Sequence, residues 1–341
     1  MTIKSKIILV GNKKSLLFCQ RSDTLKDVSS PERNTILDTG DRTLIGLIKF
    51  AGIFIFILFR LMFNTNTMHI ILHGAYSPVL WPLLFLRRVR AVSIVQGSEL
   101  TVDFVGVRAH IVTMILRHSV IIACRNEIQI DDVIRLCGVK REVCVVVNWG
   151  LKKELFELPF PHKYEVPVLI SPRATQREYN IPVIFTAVAK LKKDGFRFRF
   201  IYVRFNPSFE IEDTSPADEI LEAPAQDELW LKISQADICI SVPDYDGLSN
   251  TILETLALGS TPLYSDLKPY AFLKEDARLG IALPLGDSFE KNVLLLNASL
   301  QCALLRIEEL RSSMKFRRDF AEKFFRAGSG VDRILSELSN D

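Results

Sequence analysis

The sequence is short of the features that mark several common protein classes. Its six cysteines (Cys19, Cys124, Cys137, Cys144, Cys239 and Cys302) include no Cys-x-x-Cys pair. They offer neither metal-ligand spacing nor a disulfide framework, which points to a reducing cytoplasm. A large excess of one charge is also missing. The formal net charge is +3 over 341 residues, far below the basic footprint of a dedicated nucleic-acid binder. No Gly-x-Gly-x-x-Gly follows a strand-like run, so a nicotinamide-binding turn is not encoded. No secretory leader is recognisable, because the apolar run Ile7 to Val10 is too short for one and no cleavage site follows it. Repeats and low-complexity tracts are absent. Two local basic clusters (Arg87, Arg88 and Arg90; Lys315, Arg317 and Arg318) each read as a solvated helix face.

What is present is an alternation of short apolar strands with helices. In the first half, strand-like runs cover 4–10, 68–73, 91–96, 119–124 and 143–147. Helical patterns cover 78–86, 107–118 and 126–136. This order predicts a parallel α/β sheet. Residues 20–42 are polar and turn-rich and read as a long loop. Pro159, Pro161 and Pro167 mark a linker near 158–166, after which the alternation restarts. Strands are predicted at 168–171, 198–203 and 217–222, with helices at 179–193 and 226–235. The tail is helical over 288–310 and 312–325. The length suffices for two domains, each with its own core. His110, on the predicted 107–118 helix, reads as a surface or core histidine before a ligand.

The stretch Leu44 to Phe63 is about as long as a bilayer-spanning helix, but Lys49 and Arg60 interrupt it. At ~100° per residue, Arg42, Lys49 and Arg60 fall within ~20° of one another on a helical wheel. A basic stripe on an apolar helix suits a membrane interface, where cations reach toward anionic headgroups. A helix packed on the sheet is the close competitor. A true span ranks third, because two cations within it cost several kcal/mol.

The rest of the chain is organised around residues 236–267. The apolar run Ile238 to Val242 reads as a buried strand, followed by a turn with Pro243, Asp244 and Gly247. A helix is predicted from about 248 to 258, stopped by Gly259. A helix that starts directly after a strand and a glycine turn presents unpaired N–H groups and a positive dipole end, which suit a pyrophosphate. Asp246 and Glu254 flank that start, and carboxylates accept hydrogen bonds from sugar hydroxyls.

Asp246-Gly-Leu-Ser-Asn-Thr-Ile-Leu-Glu254, then Gly259-Ser-Thr-Pro262 and Ser265-Asp266, resemble the hallmark of the group 1 family of retaining, GT-B-fold glycosyltransferases. That hallmark is an acid, seven residues and a glutamate. The resemblance implies α/β architecture with two Rossmann-like domains facing each other across a cleft. The N-terminal acceptor domain would cover 1–158 with the apolar helix near 44–63, and the nucleotide-sugar domain 165–311. A helix within 312–341 would cross back to the first domain, docking through Phe316, Phe320, Phe324 and Phe325, with packing on its own domain the close alternative.

The resemblance also implies roles for particular residues. Arg173, after the 168–171 strand, would neutralise the donor diphosphate and stabilise the leaving group, with Arg177 assisting because Glu178 stands where the family has a lysine. The helix-start residues Gly247, Leu248, Ser249 and Asn250 would hold the phosphates. Glu254 would hold the ribose, Asp246 the transferred sugar, and residues 221–224 the base. No cofactor and no catalytic metal are expected. The donor would be a UDP- or GDP-linked sugar, and Asp244-Tyr245-Asp246 only superficially matches a metal-binding Asp-x-Asp.

The implied activity is transfer, with retention, to a lipid-linked or glycan acceptor in cell-surface polysaccharide biosynthesis. It would take place in the cytoplasm, peripheral at the inner face of the cell membrane. The rival is a non-catalytic GT-B-like scaffold of a membrane polysaccharide assembly complex. It is favoured by the single-glycine segment Gly11 to Ser15, by Glu178, and by Gln96-Gly97-Ser98-Glu99 where the family often has a histidine.

Overall fold

The computed structural model describes residues 6–11, 34–38, 44–63, 68–74, 86, 88–95, 100, 104–147, 150–160, 164–173, 177–205, 213–325, 334, 336 and 338. The sequence-predicted helix at 78–86 lies almost wholly outside these residues. So do the segments 12–15 and 96–99. The chain divides into two compact units, one built from Met1–Gly150 with Ala327–Asp341 and the other from Leu151–Arg326.

The first unit holds strands β1 (Lys6–Gly11), β2 (Asn34–Asp38), β3 (Met68–His73), β4 (Val89–Ile94), β5 (Ser119–Cys124) and β6 (Cys144–Val146). They form one parallel sheet in the order β2-β1-β3-β4-β5-β6. Strand β2 corrects the reading of 20–42 as loop throughout. Its short apolar run, Ile36 and Leu37, pairs along β1 as an edge strand, too brief to stand out among polar neighbours.

Helices α1 (Leu44–Phe63), α2 (Gly106–His118) and α3 (Glu127–Cys137) connect these strands. Side chains alternate across the sheet as a period of two requires. Met68, Ile70 and Leu72 face Ile53 and Ile57 of α1, whereas Ile71, Val92 and Ile94 pack with Ile334 and Leu338 from the chain's end. Helix α1 is therefore a sheet-packed helix on one side. On the other, Ile48, Ile55 and Phe59 are 64, 64 and 61 % exposed. Among the described residues no helix is long and apolar enough to cross a membrane.

The second unit contains β7 (Val168–Ser171), β8 (Arg199–Arg204), β9 (Glu219–Glu222), β10 (Ile238–Ser241), β11 (Thr261–Ser265) and β12 (Ile281–Leu283). The sheet is again parallel, in the order β12-β11-β10-β7-β8-β9. Its helices are α4 (Lys153–Glu157), α5 (Ile181–Lys193), α6 (Gln226–Gln235), α7 (Asn250–Ala257), α8 (Phe289–Leu305), α9 (Ile307–Ser312) and α10 (Met314–Phe325). Val168 and Ile170 of β7 belong to the core under α4, α6, α7 and α10. Leu169 belongs to the opposite core, under α5 and α8.

The division between the units falls at Gly150 and Leu151, ahead of the proline-marked stretch. Leu151 and Leu155 are buried in the second unit's core, and the Arg318 guanidinium holds the carbonyls of Phe156 and Leu158. Two polar devices lock this unit. Asp237, its side chain fully buried, accepts from the Val168 N–H at 2.9 Å and from Arg311 Nε at 2.9 Å. Arg317, 1 % exposed, donates to the carbonyls of Gly259, Arg278 and Leu310. Gly259 itself has φ +81°, and a Cβ there would meet Met314 Cγ at 2.3 Å. Only glycine closes α7 at this point.

Of the two readings of the α10 phenylalanines, the structure shows packing within their own unit. Phe325 is buried in the second unit's core, with Phe316 and Phe320 packed against it, and Phe320 stacks on Phe272 at 6.3 Å. These rings belong to the helix's own unit. The chain rejoins the first unit only afterwards, through Ile334 and Leu338.

Candidate active site

In the second sheet the strand order reverses between β7 and β10, where the carboxyl ends of a doubly wound sheet open a natural ligand crevice. Arg173 leaves the end of β7 and Asp246 to Asn250 leave the end of β10, so two segments 73 residues apart meet there. Arg173 is 9 % exposed. Its Nη2 donates to Asp246 Oδ2 at 2.8 Å, and its Nη1 to Ser249 Oγ at 2.7 Å. The guanidinium carbon lies 4.1 Å from the centroid of the Tyr179 ring, a stacking that desolvated arginines favour.

The surrounding loops are fastened to each other. Asn180 adopts a left-handed backbone, φ 54°, and its Nδ2 donates to the Val242 carbonyl at 3.0 Å and to Asp244 Oδ1 at 2.6 Å. The Asp244 N–H donates to the Glu178 carbonyl at 2.9 Å. Asp244 thus serves to hold this loop, and among the described residues no group of three or more His, Cys, Asp or Glu could hold a metal ion. Ser265 Oγ donates to the Pro243 carbonyl at 2.6 Å, pinning the same loop from β11.

Ser249 occupies the N-cap of α7 but makes no side-chain cap. Its hydroxyl is spent on Arg173, so no side chain of the cap satisfies the helix's first amides. Gly247 has nothing within 4 Å of where a Cβ would sit; that side of the turn is open space. Leu248 is buried in the core at 9 % exposure and anchors the turn. Asn250 begins the helix. Arg177 is exposed on the short turn Arg177–Tyr179 and is not among the residues gathered round Asp246.

Glu254 is one helical turn along α7 from Asn250 and is set apart from the Arg173 cluster. It is 6 % exposed and lies beside Gln226 and Trp230 of α6. Burial pushes its carboxyl up to about 7, opposed by those two side chains and by the charge of Lys152. Gln226 opens the helix that follows the 221–224 turn, where Ala223 has φ 39°. Glu254 therefore adjoins the segment expected to hold the base.

Tyr179 and Tyr270 were not singled out by sequence reasoning. Tyr270, in the 3-10 segment Lys268–Glu275, is 1 % exposed. Its hydroxyl lies beside the Asp246 carboxylate and the Ser249 backbone. Nothing local flags either tyrosine, since each acquires its place through contacts distant in the chain.

No protein-family model matches the sequence, and no curated protein matches it. Solved structures do match. Anabaena HepE in complex with UDP superposes with a TM-score of 0.73 at 11 % identity, over 98 % of this chain and 100 % of its own. Sucrose-phosphate synthase from Thermosynechococcus elongatus gives 0.75 at 14 % identity, over 99 % and 100 %. The E. coli trehalose-6-phosphate protein bound with UDP-2-fluoro glucose gives 0.69 at 10 %, over 98 % and 99 %. The chain shares the GT-B fold of these structures, built from two units with parallel sheets.

Proposed function

We propose that this protein is a retaining glycosyltransferase that takes a sugar from a nucleotide-diphosphate sugar, UDP- or GDP-linked, without a catalytic metal. The observation that carries the reading is the position of Arg173, a nearly buried guanidinium at the strand-order switch point. It sits beside the start of α7, whose cap hydroxyl is committed elsewhere. Departure of a nucleoside diphosphate builds negative charge on a phosphate oxygen, and a guanidinium fork with helix amides is suited to receive it. Asp246 would then orient the transferred sugar and Glu254 the ribose. That the structural neighbours include complexes with UDP and UDP-glucose supports the same donor class.

A panel of nucleotide sugars tests this by calorimetry. One or more UDP- or GDP-sugars should bind, and Glu254→Gln should weaken the tightest of them at least tenfold. Because an ionised Glu254 accepts from ribose hydroxyls more strongly than the protonated acid and burial holds its carboxyl at about 7, affinity should fall as pH drops from 8 to 6. The donor's diphosphate, esterified at both ends, does not titrate there, and Glu254→Gln should erase the pH dependence. The stability sign is opposite. A carboxyl raised in the folded state costs stability above that value and nothing below its unfolded one. Glu254→Gln should therefore stabilise the fold at pH 8, by roughly 2–3 kcal/mol, and not at pH 4. If no nucleotide sugar binds, the scaffold reading, favoured by Glu178 in place of a second phosphate-binding cation, takes over.

The acceptor would be lipid-linked or glycan, in cell-surface polysaccharide synthesis at the membrane's inner face. What supports this is the face of α1 carrying Ile48, Ile55 and Phe59, apolar and exposed although the helix already packs on its sheet through Ile53 and Ile57. Changing the three exposed residues to Ser should reduce co-sedimentation with phosphatidylglycerol vesicles at least tenfold. The melting temperature should hardly move, since none of the three lies in the core. Unchanged sedimentation would remove the membrane from the proposal.

A further inference from the structure

Resting on the donor reading above, we infer that Tyr270 is a positioning residue that takes over the Asp246 carboxylate when Arg173 turns to a diphosphate. In the free protein Arg173 is already engaged, with Nη2 on Asp246 Oδ2 at 2.8 Å and Nη1 on Ser249 Oγ at 2.7 Å. An anion that recruits this guanidinium must compete with Asp246. The carboxylate left behind, with side-chain exposure of only 16 %, would then lack a donor, which is costly in such a place. A replacement donor stands beside it.

The Tyr270 hydroxyl is buried within reach of the Asp246 carboxylate and the Ser249 backbone, but is not aligned for a full hydrogen bond to either. A buried hydroxyl held beside a carboxylate but out of line with it is placed to bond once that carboxylate loses its present donor. Its ring is fixed. The Tyr270 N–H donates to the Leu267 carbonyl at 2.9 Å, and the ring packs edge-on against Tyr264 at 5.5 Å. Burial first, then the Asp246 charge, raise its hydroxyl well above the usual tyrosine range, so it remains a protonated donor across the physiological range. Tyr179 works on the other side of the exchange, stacked on the guanidinium as it changes partners. The exchange conserves donors: Arg173 Nη2 leaves Asp246 for a phosphate oxygen, and the Tyr270 O–H closes onto the vacated carboxylate.

The test is a double-mutant cycle read in the affinity for a nucleoside diphosphate, using whichever of UDP, GDP and ADP wild-type protein binds most tightly. Tyr270→Phe should weaken that affinity about tenfold, with an unchanged melting temperature for the unliganded protein. In an Asp246→Ala background, where Arg173 has no carboxylate to leave, Tyr270→Phe should have no further effect. Wild-type affinity in Tyr270→Phe, or the same tenfold loss in both backgrounds, would overturn the inference while leaving the donor site standing. Wild-type protein that binds none of the three diphosphates would overturn the donor reading and this exchange with it.

Discussion

Arg173→Ala should slow the proposed sugar transfer by about 10²–10³-fold, the range seen when a preorganised donor to a developing oxyanion is removed. The size follows from where the side chain sits. A solvent-exposed cation would be replaced by water at little cost, but Arg173 is 9 % exposed and held by Asp246, Ser249 and Tyr179. Its field acts in a poorly screened site. Arg173→Lys keeps the charge but not the planar fork, so it should recover only part of the loss. The measurement is turnover of the donor identified by the nucleotide panel, with acceptor in excess. A loss of less than threefold in Arg173→Ala would take Arg173 out of the reaction.

The largest effect on stability is expected from Arg317→Met. Arg317 is 1 % exposed and spends its guanidinium on carbonyls, with Nε and Nη2 both on Gly259 O, Nη1 on Arg278 O and Nη2 also on Leu310 O. No carboxylate pairs with it among its hydrogen-bond partners, and burial lowers its pKa to about 10. Methionine fills part of the volume but takes the arginine's donors from the buried Gly259 carbonyl and the part-buried Arg278 carbonyl, while Leu310 O keeps the Ser313 N–H, at a cost of about 3 kcal/mol in all. For a unit of this size that lowers the melting temperature by about 10 °C. Gly259 closes the helix that carries the candidate site, so nucleotide affinity should fall alongside. A shift below 2 °C would mean that water satisfies these carbonyls in the variant.

Much of the second unit could be read locally. The apolar run before Pro243, the Gly247 turn and the stop at Gly259 foretold β10, the loop and α7 within two or three residues. Strand β7 and Arg173 behind it were equally plain. The pairing of Arg173 with Asp246 was not, because it depends on β10 lying next to β7. Sheet order is settled by tertiary packing, which leaves no periodic trace in either segment. Tyr179 and Tyr270 were hidden for the same reason. The α10 phenylalanines show the converse limit. Their spacing revealed an apolar face, but only Phe272 and the surface of α7 determine what that face covers.

One unit is closed by residues that lie on either side of the other unit in sequence, since Ile334 and Leu338 complete the core over Ile71, Val92 and Ile94. During synthesis, then, strands β1–β6 leave the ribosome well before the residues Ile334 and Leu338 that pack on them. The intervening body, Leu151–Arg326, has all its own parts earlier and can mature ahead of the segment that precedes it. Of these two units, the one begun first is therefore the one that receives its last core residues second.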